Sequence, residues 1–208
     1  MKSGLFITLE GGEGVGKSTN LQFIQQWLVQ HQIPVTVTRE PGGTAVAEKI
    51  RAVLLERQDE AISEQAELLM MFAARAQHLQ NLIKPALQQG QWVLCDRFTD
   101  ATYAYQGGGR NMDMQTIAWL EQMVQGDLRP DLTLLLDAPI ELGMQRAQKR
   151  GALDRFEAEQ IDFFKRVQQT YLQRAAEHPN RYQIIDASLP LEQVQAQISA
   201  VLERLIAQ

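Results

Sequence analysis

Near the start of the chain, Gly11-Gly12-Glu13-Gly14-Val15-Gly16-Lys17-Ser18 fits the pattern G-x-x-x-x-G-K-[ST]. Glycines let the backbone turn tightly and point successive N–H groups at one anion. A helix opening near Lys17 adds the positive end of its dipole. Lys17 is placed to reach the β- and γ-phosphates of a nucleoside triphosphate, and the Ser18 hydroxyl to ligate Mg²⁺. The loop says that a triphosphate binds. It leaves open what receives the phosphate.

Other residues of matching chemistry fall where strands are expected to end. Asp96 follows the apolar run Trp92-Val93-Leu94-Cys95. It fits a metal-side aspartate, or else a plain turn carboxylate. Arg39, Arg75, Arg97 and Arg110 carry planar forks suited to phosphate oxygens. Arg39 and Arg97 adjoin strand ends, which favours contact with an anion, and Arg75 stands open between pocket and surface. Phe72 lies three residues before Arg75 on the same helix side, where core packing and base stacking both fit. Lys149, Arg150 and Arg155 flank a polar connection. They suit either a mobile positive lid over a transferring phosphoryl group or a helix end complementing its dipole.

Positioning these groups requires an alternation of strands and helices. Residues 5–9 read as a buried strand, and apolar positions 21, 24, 27 and 28 after the loop form a helical stripe. Further strands are expected at 35–39, 92–95, 132–136 and 182–186. Helices are expected at 45–57 behind a Thr44 cap, 64–83 behind Ser63, 114–124, 139–150, 160–177 and beyond Pro190. Pro85 should kink or restart its helix. Residues 99–110, with the glycine run 107–109, read as a loop. The alternation predicts an α/β fold, a mostly parallel five-stranded sheet with helices on both faces, in one domain over 1–208. In such sheets ligands sit beyond the carboxyl ends of the strands.

A net charge of −5 argues against a nucleic-acid surface as the main function. No apolar run approaches the ~18 residues of a membrane span, and no leader is visible. The lone Cys95 reads as a buried strand thiol. These features point to a cytoplasmic protein.

Taken in order, several segments resemble bacterial thymidylate kinases. They are the loop from Glu10 to Ser18, Thr38-Arg39-Glu40-Pro41-Gly42-Gly43-Thr44, Leu69-Met70-Met71-Phe72-Ala73-Ala74-Arg75, Asp96-Arg97-Phe98, Ala104-Tyr105-Gln106-Gly107-Gly108-Gly109-Arg110 and Arg129-Pro130-Asp131-Leu132-Thr133. The resemblance implies a three-layer P-loop kinase fold that transfers the ATP γ-phosphate to dTMP with Mg²⁺. It implies that Gly11 to Thr19 hold ATP and that Ser18 and Asp96 serve the metal. For dTMP it implies Arg39 and Arg97 on the phosphate and Phe72 stacking on the base. It places Arg75 at the thymine edge and Thr102 and Gln106 near the base. Glu13 falls near the sugar 3′-hydroxyl, and Tyr105 against the 2′ position. The loop lacks a basic residue at positions 12–15, as in relatives whose catalytic arginine comes from a lid, here about 149–160 with Arg150 and Arg155. A homodimer is the family habit. Phe98 stands where Tyr or His is frequent, and Thr102 where some relatives carry Asn. A kinase for a neutral acceptor and a non-enzymatic P-loop switch are the competing readings. The Arg39/Arg97 pair argues against the first, since it expects a phosphate, and the pocket arginines with a second ligand loop argue against the second.

Overall fold

The computed structural model describes residues 4–56, 59–149, 155, 156 and 159–207. Its centre is Phe6–Gly11 (β1), buried along its whole length. A strand covered on both faces has no solvated side, so its two polar residues, Thr8 and Glu10, are buried and hydrogen-bonded instead. Val35–Arg39 (β2), Trp92–Asp96 (β3), Leu132–Asp137 (β4) and Tyr182–Asp186 (β5) complete the sheet in the order β2-β3-β1-β4-β5. Every pairing is parallel.

Successive side chains leave a strand on opposite faces. On one face Ile7 and Leu9 join Leu94, Leu134 and Leu136. They pack against Ile24 and Leu28 of Lys17–Gln30 (α1) and Ile198 and Leu202 of Leu191–Ile206 (α9). Burying one such side chain contributes about 1.5–3 kcal/mol. On the other face Leu135 meets Phe164, Val167 and Tyr171 of Ile161–Glu177 (α8). Thr8 and Thr133, directly paired across β1 and β4, share a hydrogen bond of 3.0 Å beneath α8.

Ala45–Leu55 (α2) and Glu64–His78 (α3) begin as their caps predict. Thr44 Oγ1 accepts from Ala47 N–H at 3.3 Å and Ser63 Oγ from Ala66 N–H at 3.2 Å. The kink expected at Pro85 takes a particular form. Leu79–Ile83 widens into a π-helical turn, closed by Lys84 N–H to Leu79 O, before Lys84–Gln88 (α4). A proline has no N–H to give and its ring crowds the carbonyl four residues back. The wide turn shifts the helix register ahead of it, and Pro85 enters α4 in its first turn.

The expected loop at 99–110 is instead helical. Thr99–Thr102 (α5) runs into a π-helical segment, Tyr103–Gly109. Its apolar residues Ala104 and Tyr105 bury against α8. The glycines that suggested a turn are needed for that approach: a methyl group on Gly108 would overlap Thr170 Oγ1 and crowd the Arg166 carbonyl. Met114–Gln125 (α6), capped by Asp113, and Ile140–Gln148 (α7) complete the described elements.

Candidate active site

A cavity of about 500 Å³ opens beyond the carboxyl ends of β1, β2 and β3. One wall is the phosphate loop, with Glu13, Gly14, Gly16, Lys17, Ser18 and Thr19. Gly16, at φ +92°, caps α1. Gly14, at φ +67°, lies so close to Gly143 of α7 that any side chain would strike the Gly143 carbonyl. Lys17 Nζ donates to the carbonyls of Gly11 at 3.2 Å and Gly12 at 2.6 Å. Burial and then the charge of Arg97 hold its ammonium below the ordinary lysine pKa, against the pull of Glu13 and Asp96. Gly12 and Val15 face a small cavity behind the loop instead.

Arg97 joins the walls. It adopts φ +65°, a conformation that costs a non-glycine residue energy and persists where surrounding contacts impose it. Those contacts are present. Nη1 donates to Gly11 O at 3.0 Å, and Nη2 to Glu13 Oε1 at 2.6 Å and the Tyr105 hydroxyl at 2.9 Å. The Tyr105 hydroxyl in turn donates to Glu13 Oε1 at 2.6 Å. Burial opposes the guanidinium charge, but Tyr105, Glu13, Tyr171 and Asp96 hold its pKa well above the ordinary value. Burial also pushes the Tyr105 phenol up, so it stays a hydroxyl.

The far wall is built on α3 and the helical turn after α5. Arg75, 2% exposed, gives Nε to Glu40 Oε2 at 2.7 Å and Nη2 to Thr102 Oγ1 at 3.0 Å. Glu40 also bonds His78 Nδ1, and His78 Nε2 bonds Thr38 Oγ1. Arg75 Nη1 is buried with no hydrogen-bond partner. Leaving such a donor unpaired costs about 1–3 kcal/mol, and a ligand acceptor in the cavity removes that cost. The guanidinium lies 4.8 Å from the Phe72 ring centroid and 5.2 Å from that of Phe98. Phe72 is buried in a cluster with Leu68, Tyr103, Ile117 and Leu120, behind Arg75, and is absent from the cavity lining. Phe98 lines the cavity and packs edge-on against Phe6, so an apolar ring suits its place. Thr102 and Gln106 line the cavity, with Leu55, Met71, Ala101 and Phe156 adding apolar surface.

Arg39 sits at the rim, half exposed and paired with Glu48 at 3.0 Å. Asp96 lines the same cavity as Ser18, and its buried Oδ1 has no hydrogen-bond partner. An orphaned carboxylate oxygen and an exposed hydroxyl on the same cavity fit a hard cation such as Mg²⁺. Among the described residues no three acidic, His or Cys side chains form a metal cage. Mg²⁺ fits that too, since it commonly draws its remaining ligands from water and substrate phosphates.

Arg150 lies outside the described residues. Arg155 does not line the cavity: Nη2 pairs with Glu67 Oε2 at 2.5 Å and Nε donates to Leu54 O at 2.9 Å. Arg110, expected at the pocket, instead pairs with Glu159 at 2.5 Å and faces Phe163. Its guanidinium is drawn to the carboxylates and rings that α8 and the turn before it bring near. Sequence reasoning passed over Arg51, His78 and Tyr171. Arg51 lines the cavity and donates to Pro41 O. His78 follows Arg75 at helical spacing, the one signal available for it. Nothing in local sequence marks the Tyr171 hydroxyl, which receives Arg97 Nη1 at 3.3 Å.

A parallel sheet, a phosphate loop between its central strand and α1, and a second set of ligand groups across one cavity define a P-loop nucleotide kinase. A sequence profile of the thymidylate kinase family matches residues 9–198. The thymidylate kinase of Ectopseudomonas mendocina is 58% identical over 204 residues, covering 98% of this chain and 97% of its own. That of Alcanivorax borkumensis is 57% identical over 203 residues, covering 98% of each. The crystal structure of thymidylate kinase from Ehrlichia chaffeensis superposes with a TM-score of 0.77 at 32% identity, covering 96% of this chain and 99% of that one. The chain belongs to the thymidylate kinase family.

Proposed function

We infer that the cavity performs the reaction for which the family is named: the γ-phosphate of ATP passes to dTMP, giving dTDP. The observation that carries this is the arrangement of two ligand sites in one cavity. The phosphate loop faces Arg75, with its unpaired buried Nη1, across Asp96 and Arg97.

The loop amides of Gly11 to Thr19 and Lys17 hold the ATP phosphates. The dTMP phosphate lies between Arg39 and Arg97, and its base on the Arg75 side, near Thr102 and Gln106. The nucleophile is a dTMP phosphate oxygen, already anionic, so no strong general base is needed. What the protein must do is bring two polyanions together and screen their repulsion. Lys17 and Arg97 supply positive charge in a buried setting, where it acts more strongly than in water. Glu13 and Tyr105 fix Arg97, and Tyr105 crowds the sugar 2′ position. Ser18 and Asp96 would hold Mg²⁺, which supplies charge neutralisation at the transferring phosphates. Lid residues over about 149–160, with Arg150 and Arg155, close to exclude water and add charge.

A coupled assay with ATP and dTMP, dUMP, thymidine or CMP tests the reading. The expected outcome is fastest turnover with dTMP and none with thymidine. Equal rates with thymidine, which brings no phosphate for Arg39 and Arg97, overturn it.

No helix of the described residues is long and apolar enough to cross a membrane. With the lone buried cysteine, this supports a cytoplasmic setting. A second copy of the chain is the proposed partner. Val46 and Val53 of α2, Leu69 of α3, and Trp119 and Met123 of α6 are large, apolar and exposed. These three helices pack side by side.

A further inference from the structure

Glu67 is 1% exposed and does not line the cavity. Its carboxylate oxygens serve two different parts of the molecule. Oε1 accepts from Gln106 Nε2 at 2.8 Å, and Oε2 accepts from Arg155 Nη2 at 2.5 Å. Arg110 Nε stands 3.5 Å from Oε1. A buried carboxylate needs cationic partners, and Arg155 and Arg110 meet that need. The bond from Gln106 does something else. A carboxylate only accepts, so the Gln106 amide must turn its NH₂ end toward Glu67. The carbonyl end, Oε1, is then the end left for the cavity that Gln106 lines. Arg75, which lines the same cavity, only donates.

We propose that Glu67 is a positioning residue for base selection: it locks the Gln106 amide so that the pocket offers an acceptor beside the Arg75 donor, and its other oxygen docks the lid arginine on the same helix. The proposal rests on the dTMP reading above. A thymine edge carries an N3–H donor flanked by carbonyl acceptors and satisfies both groups. A cytosine edge carries an amino donor and a bare N3, so Arg75 meets a donor and Gln106 meets an acceptor. Buried polar groups left unpaired in this way are a strong source of discrimination. An amide free to flip forfeits the Gln106 share.

The test is Glu67→Gln, assayed with dTMP and dCMP. The amide introduced by that substitution both accepts and donates, so either orientation of Gln106 is satisfied. The expected result is a fall of about tenfold in the ratio of kcat/KM for dTMP over dCMP, the loss of one discriminating hydrogen bond. It should arise through KM for dTMP, with KM for ATP little changed. Arg155→Ala removes only the lid arm, so it should lower kcat far more than dTMP affinity and leave the base ratio unchanged. An unchanged ratio in Glu67→Gln, or an equal change in both variants, overturns the proposal. Wild-type protein that fails to phosphorylate dTMP defeats the functional reading instead. Should Glu67→Gln not fold, the Gln106 side-chain amide protons decide the matter in the wild type, assigned against Gln106→Ala. Slow exchange with solvent supports the lock, and free exchange overturns it.

Discussion

The guanidinium of Arg97 donates to Gly11 O, Glu13 and the Tyr105 hydroxyl, and the same contacts hold its backbone conformation. Lysine at this position keeps the charge and loses the fork that reaches Gly11 O, Glu13 and the Tyr105 hydroxyl together. Arg97→Lys should therefore lower kcat/KM for dTMP by about 10²-fold, a loss typical of one preorganised electrostatic group. Steady-state kinetics at varied dTMP check this, and a loss under about threefold would remove Arg97 from the centre of the mechanism. Asp96 and Arg97 were legible because an apolar strand run stops at them. The bonds that orient Arg97 were not, since Glu13 lies 84 residues away in the chain and Tyr171 74. Glu40 showed the same limit. Its segment was visible, but its part in fixing Arg75 depends on a helix that folds back over β2. The Arg155–Glu67 pair likewise follows from how the turn before α8 meets α3, which no local pattern encodes.

At the level of elements, β1 ends by burying Glu10 between α5 and α8. Glu10 Oε1 accepts from Phe98 N–H at 2.7 Å and Oε2 from the Tyr171 hydroxyl at 2.8 Å. Burial and then nearby Asp100 raise its pKa from 4.5 to about 7, despite those bonds. Asp100 is also buried, but hydrogen bonds and charges from Arg181 and Arg174 bring it from 3.8 to about 2. The two carboxyls act on stability with opposite sign. Between pH 4.5 and 7 the folded chain keeps a proton on Glu10 that the unfolded chain has released, so stability falls as pH rises through that window. Asp100 contributes stability above pH 3.8 that is lost as pH falls toward 2. Glu10→Gln should flatten the fall, leaving wild type and variant to diverge by on the order of 2–3 kcal/mol between about pH 4.5 and 7.5. Urea unfolding at the two pH values measures it, and parallel wild-type and variant profiles would show that Glu10 does not titrate there. Strand and helix order was readable from periodicity, because a parallel sheet demands apolar runs and its helices demand stripes. The helical segment from Thr99 to Gly109 was hidden, because three successive glycines signal a turn locally while their use here is to admit α8.

For the molecule as a whole, α2 and α3 face inward to the cavity and, with α6, outward to solvent. Arg51 and Leu55 of α2 and Met71 and Arg75 of α3 line the cavity, while Val46, Val53 and Leu69 stand exposed on those helices. On α6, Trp119 is 64% and Met123 61% exposed. An isolated exposed apolar residue is ordinary, and several across adjoining helices are the ground for the dimer proposed above. The proposed second copy would bury the band and brace α2 and α3 from behind, joining dimerisation and acceptor binding in one structural unit. Aromatic residues at the centre of such contacts carry a large share of the energy, so Trp119 is the position to disrupt. In sedimentation the wild type should run at twice the 23.5 kDa chain mass, and Trp119→Glu at the chain mass itself. Because α3, one of the helices that lose their brace, carries Arg75, the variant's KM for dTMP should rise, while its KM for ATP, whose proposed site is the loop ahead of α1, stays near that of the wild type. A wild-type protein that sediments as a single chain at assay concentration would sink the dimer. A Trp119→Glu monomer with unaltered dTMP affinity would separate association from the pocket.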